Sequence, residues 1–521
     1  MLNDTKIPVD QRGPGLTIID GIRASARARP DRIALTIGEE QLSYRRLMDR
    51  IDRVASGAMH HLKLQPGDRI AIALPNCLPY LEIVAGFAAV GVLCAMFPPM
   101  AIASEVRFIV EDCAPRLVVC HVSNEDEVRA GAAGNVDTIL VVGRGGVDSY
   151  EQWLEQATPA QSFPLVAETD IFSISYSSGT TGLPKGILLS HRSRILTAFV
   201  AAAEYRSFGP DSRMLVSTPV FHGAGFLNLL APLWFGGEAV ILPQFNIETL
   251  LGLISRHRIT KAHMVPAHFS AYFALSEQER ARFDVSSLRC IVSGTAPLAQ
   301  SIKSRIVESF GPDVLHERYG STEASLVTNL RPEDQLRKIA CVGNTFASVE
   351  VEIRDPEGHL VAPGETGELW SRSPLMFSGY WNRPELEAST VREGWVSAGD
   401  MAMRDEEGYI YLVDRKNDMI ITGGENVYPR EIEEVLMQHP AVAEAAVVGL
   451  PHEYWGDAIT AFVHLRGGAI LFEEDLRAHC ALHLARWKIP KRIAIGGPLP
   501  RSSMGKILRR EVKSAALKGM R

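Results

Sequence analysis

The sequence has no excess of positive charge. Across 521 residues, 54 Lys and Arg stand against 61 Asp and Glu, a net charge of −7. That balance excludes general nucleic-acid binding, which needs a basic surface to displace counterions. Cysteine is scarce: seven residues, odd in number and with no CxxC pair. A zinc framework or disulfide scaffold is excluded, and reduced thiols in a cytoplasmic protein are expected. Long apolar runs are missing. The stretch Ile83–Phe97 falls short of the roughly 18–20 residues that span a bilayer, and it reads as a buried helix running into a strand. Residues Met1–Gly15 hold no apolar signal-peptide segment, and Lys518-Gly519-Met520-Arg521 is not a peroxisomal address. The G-x-S-x-G elbow of a serine hydrolase is absent.

What is present is ordinary globular material, 46% hydrophobic and 22% charged, enough for more than one core. Apolar runs such as Asp68–Leu74, Arg116–Cys120, Ala239–Leu242, Lys261–Val265 and Leu288–Ser293 alternate with helical patterns such as Ile247–His257 and Ala299–Phe310. Alternation of this kind predicts α/β layers with largely parallel sheets. From about Val349 short strands and turns take over, with Asp355-Pro356-Glu357-Gly358 and Asp405–Gly408 as turn chemistry. A small β-rich subdomain ending near Arg415 is expected. A compact α+β pattern follows: a helix from Pro429 to about Gln438, strands Ala441–Gly449 and Ala458–Leu465, a helix near Phe472–His483 and a strand Arg492–Gly496. The expected division is 1–415 and 416–521, with a hinge between them.

The loop Tyr176–Gly186 (YSSGTTGLPKG) follows an apolar strand. Its glycines let backbone N–H groups turn towards an anion, Ser177, Ser178, Thr180 and Thr181 add donors, and Lys185 adds charge. A polyphosphate suits it. It is not a Walker A loop, because Lys185 follows proline and precedes Gly186. Further strings follow in order: Thr218–Gly223 (TPVFHG), Ser293–Leu298 (SGTAPL), Tyr319–Glu323 (YGSTE), Trp395–Asp400 (WVSAGD) with Arg415 beyond it, Ile421–Pro429 (ITGGENVYP) and Leu499–Leu508 (LPRSSMGKIL). Each also has a structural reading. Tyr319–Glu323 could open a helix capped by Ser321 or Thr322, Asp400 and Arg415 could form a surface ion pair, and Lys506 could be solvated.

Together these strings resemble the adenylate-forming superfamily of acyl- and aryl-CoA synthetases, nonribosomal peptide adenylation domains and firefly-type luciferases. The resemblance runs from about residue 30 to 510. It implies nucleotide contacts from Ser177, Ser178, Gly179, Thr180, Thr181, Gly182 and Lys185, and from Gly294, Thr295 and Ala296 at an adenine turn. Tyr319, Gly320, Ser321 and Thr322 join them, with Tyr319 on adenine and Thr322 on the α-phosphate. Glu323 is implied as the Mg²⁺ ligand, Asp400 and Arg415 at the ribose, and Lys506 as the mobile adenylation lysine. His222 would border the carboxylate, with Gly223, Phe226 and Val265 in the acyl pocket and Met264 and His268 as further wall candidates. Gly423, Gly424 and Glu425 would line a CoA tunnel, and Asn417 would be the hinge pivot.

The resemblance implies an acid–CoA ligase using ATP, Mg²⁺ and coenzyme A as co-substrate. The carboxylic acid would be activated as acyl-adenylate with release of pyrophosphate and then passed to the CoA thiol. The alternatives are a stand-alone enzyme that releases the adenylate or loads a carrier protein, and a non-catalytic nucleotide-binding paralogue. A homodimer is one assembly it allows. The small Gly223-Ala224-Gly225 run suggests a roomy pocket for large or medium-to-long acyl groups. Two positions depart from the usual pattern: Ala398 replaces a threonine before Gly399-Asp400, and Asn417 replaces Asp or Lys at the pivot.

Overall fold

Strands that alternate with helices pair in parallel, because each helix carries the chain back across the sheet before the next strand begins. The computed structural model describes residues 15–146, 149–159, 162–178, 184–422, 425–501 and 506–519. Two sheets of this kind form the large part of the chain. One has six strands in the order Ile139–Val142, Leu117–His121, Arg69–Ala73, Leu93–Met96, Ile171–Ser178, Pro184–Ser190. It is parallel until its last pair, an antiparallel hairpin.

The other sheet has nine strands. Its centre runs Leu315–Ser321, Cys290–Ser293, Lys261–His263, Arg213–Val216, Glu238–Ile241, Ile33–Ile37, all parallel. Antiparallel strands close both edges. The expected largely parallel sheets are therefore present, with mixed borders.

Capping chemistry sets the helix starts. The Ser190 side chain accepts from the Ser193 N–H ahead of the helix His191–Tyr205, and Asn246 does the same ahead of Ile247–His257. Pro429 occupies the first turn of Pro429–Gln438, where a missing N–H costs little. The helix Gly223–Trp234 is apolar on all sides, and residues Gly225 to Leu233 are buried. Such a helix belongs inside the protein, not on its surface.

One core runs from Ile18 to Ile410 and includes Val351, Ile353 and Leu369 of the six-stranded antiparallel sheet, so the β-rich subdomain rests on the same interior. A separate core, from Ile420 to Ile493, belongs to a five-stranded sheet with the helices Pro429–Gln438 and Glu473–His483. The fold is a large α/β part with a smaller α+β part. No helix among the described residues is long and apolar enough to cross a membrane.

The helix reading of Tyr319–Glu323 is corrected. The segment turns between two antiparallel strands, Leu315–Ser321 and Ser325–Leu330. The Ser321 hydroxyl accepts from the Ala324 N–H at 2.9 Å. Gly320 is required there, since a Cβ would lie 1.9 Å from the Ser325 carbonyl oxygen.

Gly225 is equally constrained: a Cβ would lie 2.0 Å from the Pro219 carbonyl oxygen. This close approach fixes the turn carrying His222 against its helix, so the small residue reflects backbone packing rather than an open pocket. Gly225→Ala is expected to destabilise the protein by about 2–4 kcal/mol. Gly252→Ala, whose Cβ would make only an ordinary contact 3.9 Å from Phe283, should stabilise by up to ~1 kcal/mol. Urea unfolding of the two variants checks both.

Candidate active site

The hairpin Ile171–Ser178/Pro184–Ser190 pairs Ser177 with Lys185 and Ser178 with Pro184. Its tip, with Gly179, Thr180, Thr181 and Gly182, lies outside the described residues. Tyr176 turns away from the tip. Its hydroxyl donates to Asp112 at 2.6 Å, and Arg383 holds the same carboxylate at 2.9 Å.

The outer strand of the hairpin is stitched to residues 378–381. Leu188 N–H donates to Gly379, Ser378 N–H to Leu188 and Trp381 N–H to Gly186. This places Tyr380 over Lys185. A Cβ on Gly186 would meet Ile174 at 2.7 Å and Trp381 at 3.1 Å, so glycine keeps the two segments together.

Lys185 and Glu323 meet at the centre of the site. The ammonium lies 2.5 Å from Glu323 Oε1, and the Tyr380 hydroxyl donates to the same oxygen at 2.8 Å. The Phe377 N–H holds the Glu323 carbonyl at 2.8 Å. Burial pushes the Glu323 carboxyl up, but the charge and hydrogen bond of Lys185 outweigh it and leave the group below its ordinary value. Glu323 is therefore a fixed anion. Its described hydrogen bonds all fall on Oε1, which leaves Oε2 for a cation. Among the described residues no cluster of three or more His, Cys, Asp or Glu could form a metal cage. One carboxylate fits magnesium, which takes much of its shell from phosphate and water.

A second group forms on the small-domain side. Tyr319 donates to Asp400 Oδ2 at 2.7 Å, and Arg415 reaches Asp400 Oδ1 at 2.7 Å. Asp400 and Arg415 face each other across two paired strands, which explains their wide sequence spacing. Arg415 also donates to the Ala398 carbonyl at 2.8 Å, so the departure at 398 keeps a backbone anchor. Burial and the Asp400 charge hold the Tyr319 phenol well above its ordinary value.

Lys506 is surface-accessible but faces this group. Desolvation lowers its ammonium first, Arg415 adds to the lowering, and Asp400 opposes it. Asn417 lies in the short turn Lys416–Asp418. Glu425 begins a strand paired with Ile420–Thr422, while Gly423 and Gly424 lie outside the described residues.

His222 precedes the buried helix, its ring 4.3 Å from that of Phe221, and burial lowers its imidazole to about 4. It is neutral at physiological pH. Gly223 adjoins it, with the Arg194 guanidinium 3.8 Å from where a Cβ would stand. Val265 is buried just before the helix Pro266–Ala274. Phe226 belongs to the main core, stacked on Phe172 at 5.8 Å. Met264 is fully buried, and His268 stacks on Phe245 at 4.4 Å. The turn Gly294-Thr295-Ala296 follows the strand Cys290–Ser293. Thr295 holds a positive φ of 72°, and Gly294 lies against Arg318.

Sequence reading missed Tyr380, Arg194 and Arg318. Tyr380 is reached only through strand pairing. Arg194 did leave a signal, since it shares the buried helical face of Ala198, Ala201 and Tyr205. Arg318 directly precedes the Tyr319–Glu323 string.

The AMP-binding enzyme family matches residues 22–381, and the AMP-binding enzyme C-terminal domain matches residues 431–506. A long-chain-fatty-acid–CoA ligase of Yersinia pestis is 31% identical, over 96% of this chain and 95% of its own length. ATP-bound MatB from Rhodopseudomonas palustris is 28% identical with a TM-score of 0.87, covering 96% of this chain and 100% of its own. The amide bond synthetase McbA from Marinactinospora thermotolerans is 28% identical with a TM-score of 0.85, over 96% and 99%.

Lys185→Met should leave Glu323 buried without its cation and cost about 3 kcal/mol at neutral pH. The sign follows from the lowered carboxyl: wild type holds this stabilisation above the ordinary glutamate value and loses it as pH falls through the depressed one. In the variant the carboxyl rises, and stability increases on mild acidification. Unfolding curves between pH 4 and 8 check this.

Two family matches over most of the chain, around a site built from those same motifs, show that this protein belongs to the AMP-binding enzyme family, of the acyl-CoA ligase type.

Proposed function

We propose that the chain is an ATP-dependent acid–CoA ligase with two half-reactions in one site. The observation that carries this reading is the pair of groups just described: Lys185–Glu323–Tyr380 on one side, Tyr319–Asp400–Arg415 with Lys506 facing it on the other. A bound nucleotide would have its base and ribose at the second group and its polyphosphate at the first.

In the first half-reaction a carboxylate oxygen attacks the α-phosphorus of ATP, the bond to the β-phosphate oxygen breaks, and pyrophosphate leaves. An anion must approach a polyanion, so catalysis is mainly charge neutralisation and positioning. Lys185 and Glu323 neutralise each other until nucleotide arrives. Then Lys185 turns to phosphate, and Glu323, with its spare oxygen, would hold magnesium. The ion would supply further neutralisation of phosphate charge. Tyr319 borders the adenine, together with Gly294, Thr295 and Ala296. Gly320, Ser321 and Thr322 contact the α-phosphate side, with Ser177, Ser178 and Gly179 to Gly182 at the outer phosphates. Asp400 and Arg415 bind ribose. Lys506 bridges carboxylate and phosphate.

In the second half-reaction the CoA sulfur attacks the acyl carbon, AMP leaves and the thiol proton is released. We place the domain boundary at Arg415–Asn417. Rotation about Asn417 withdraws Lys506 and brings Gly423, Gly424 and Glu425 to the site as the CoA passage. Support comes from the separate small-domain core. His222, Gly223 and Val265 would wall the acyl pocket, with Phe226 behind them. A cytoplasmic enzyme of fatty- or aryl-acid metabolism follows from this reading. The amide bond synthetase of the same fold keeps a second reading in view, an adenylate passed to another acceptor.

An acid panel assayed for pyrophosphate release and for thioester, with and without CoA, separates the two. Thioester with CoA is expected, and adenylate without thioester would overturn the ligase reading. Lys506→Ala should lower adenylation on the order of 10²–10³-fold. Thioester formation from a supplied acyl-adenylate should persist, and equal loss of both half-reactions would contradict alternation.

A further inference from the structure

The last turn of a helix is the negative end of its dipole, a place for cations rather than acids. The helix Ala103–Cys113 breaks that preference: Asp112 stands in its last turn, and no basic residue does. The carboxylate is held by groups from two other segments. Tyr176, 3% exposed on the strand Ile171–Ser178, donates its hydroxyl to Oδ2 at 2.6 Å. The Arg383 guanidinium reaches Oδ1 at 2.9 Å. The backbone carbonyl of Asp112 accepts from Trp381 Nε1 at 3.0 Å and from the Asn382 side-chain amide at 3.2 Å. One residue thus collects four donors, one from the hairpin and three from residues 381–383.

Both segments lead to the Lys185–Glu323 pair. Tyr176 pairs with Gly186, the residue after Lys185 on the facing strand. The Trp381 N–H donates to the Gly186 carbonyl. Its neighbour Tyr380 carries the hydroxyl that meets Glu323 and lies 3.2 Å from the Lys185 ammonium. Gly186 is therefore pinned between the two segments, and Asp112 pins them to each other. Asn382 makes the turn in the left-handed region, at a φ of 51°, which asparagine tolerates. Burial pushes the Tyr176 phenol up, so it stays a donor at neutral pH. Hydrogen-bond networks are common inside proteins. This one differs in that each segment it ties carries a side chain of the phosphate side of the site.

We propose that Asp112 is a positioning residue for the phosphate end of the nucleotide site. It acts through the hairpin and the segment 380–383, holding them in one register so that Lys185 and the Tyr380 hydroxyl stay within reach of Glu323. This rests on the adenylating function proposed above and adds a residue to it. When Lys185 turns to phosphate, the strand beneath it must not drift, since a misplacement of about 1 Å costs on the order of 10²-fold. Among the described residues, Tyr319, Asp400 and Arg415 share no hydrogen bond with this network. Loss of Asp112 is therefore felt at the outer phosphates and not at base and ribose.

The test compares ATP with AMP, which share base, ribose and α-phosphate and differ in the outer phosphates. Calorimetry with Mg²⁺ gives both affinities for the full chain. Asp112→Asn keeps an acceptor for Tyr176 and removes the charge that holds Arg383. It should weaken ATP about 10-fold and leave AMP within about two-fold. Arg383→Gln, at a side chain 29% exposed, should do the same, and it carries the test alone if Asp112→Asn fails to fold. The double variant should lose less than the product of the two single effects, because both remove one contact. In acid-dependent pyrophosphate release, KM for ATP should rise while KM for the acid stays. Equal weakening of ATP and AMP, or unchanged ATP affinity, would overturn the positioning role while leaving adenylation intact. A wild type that binds neither nucleotide would overturn both readings together.

Discussion

Glu323 and Lys185 meet where the antiparallel borders of two largely parallel sheets come together, and most of the site's geometry follows from that ion pair. Lys185 arrives on the outer strand of one sheet, and Glu323 on the turn at the edge of the other. Tyr380, from the segment stitched to the first sheet, donates to the shared oxygen. Half of the pair alone would be a charge stranded in a low-dielectric interior. The pair therefore ties the two sheets together at this point. A nucleotide polyphosphate with its cation is chemically suited to replace each partner by another of the same sign. In the proposed reading the pair would hold the place of the charges that nucleotide and cation bring.

The second group stands directly before the proposed hinge. Asp400 and Arg415 come together across strands that lead directly into Lys416–Asp418. Beyond the turn, Arg509 reaches back to Asp414 at 2.7 Å, to Asp418 at 3.0 Å and to Glu433 at 2.5 Å. Residues that bind the ribose in the proposed reading thus lie within a few positions of those that tie the small domain down. Lys506 lies three residues before that arginine, ahead of the helix Arg509–Gly519. In the proposed reading, this short segment would both place the lysine and release it.

Much of this was legible in the sequence because the relevant physics is local. Strand and helix periods, proline at a first helical turn and glycine-rich turns between apolar runs are written in neighbouring residues. The helix Pro429–Gln438 and the strand Arg492–Gly496 fall where the pattern puts them. What escaped depends on distant partners. Nothing near Tyr380 announces that its hydroxyl will meet Glu323. Gly225 read as pocket space, but its size answers to the Pro219 backbone. The turn at Tyr319–Glu323 read equally as a helix start, since a serine oxygen accepting an N–H three residues on serves either structure.

The central claim is that a carboxylate oxygen attacks the α-phosphorus of ATP, and an oxygen label follows that bond directly. With substrate acid labelled in both carboxylate oxygens, turnover with ATP and CoA should place one labelled oxygen in AMP, leave pyrophosphate unlabelled and retain the other oxygen in the thioester. Label in inorganic phosphate, or AMP without label, would contradict the account.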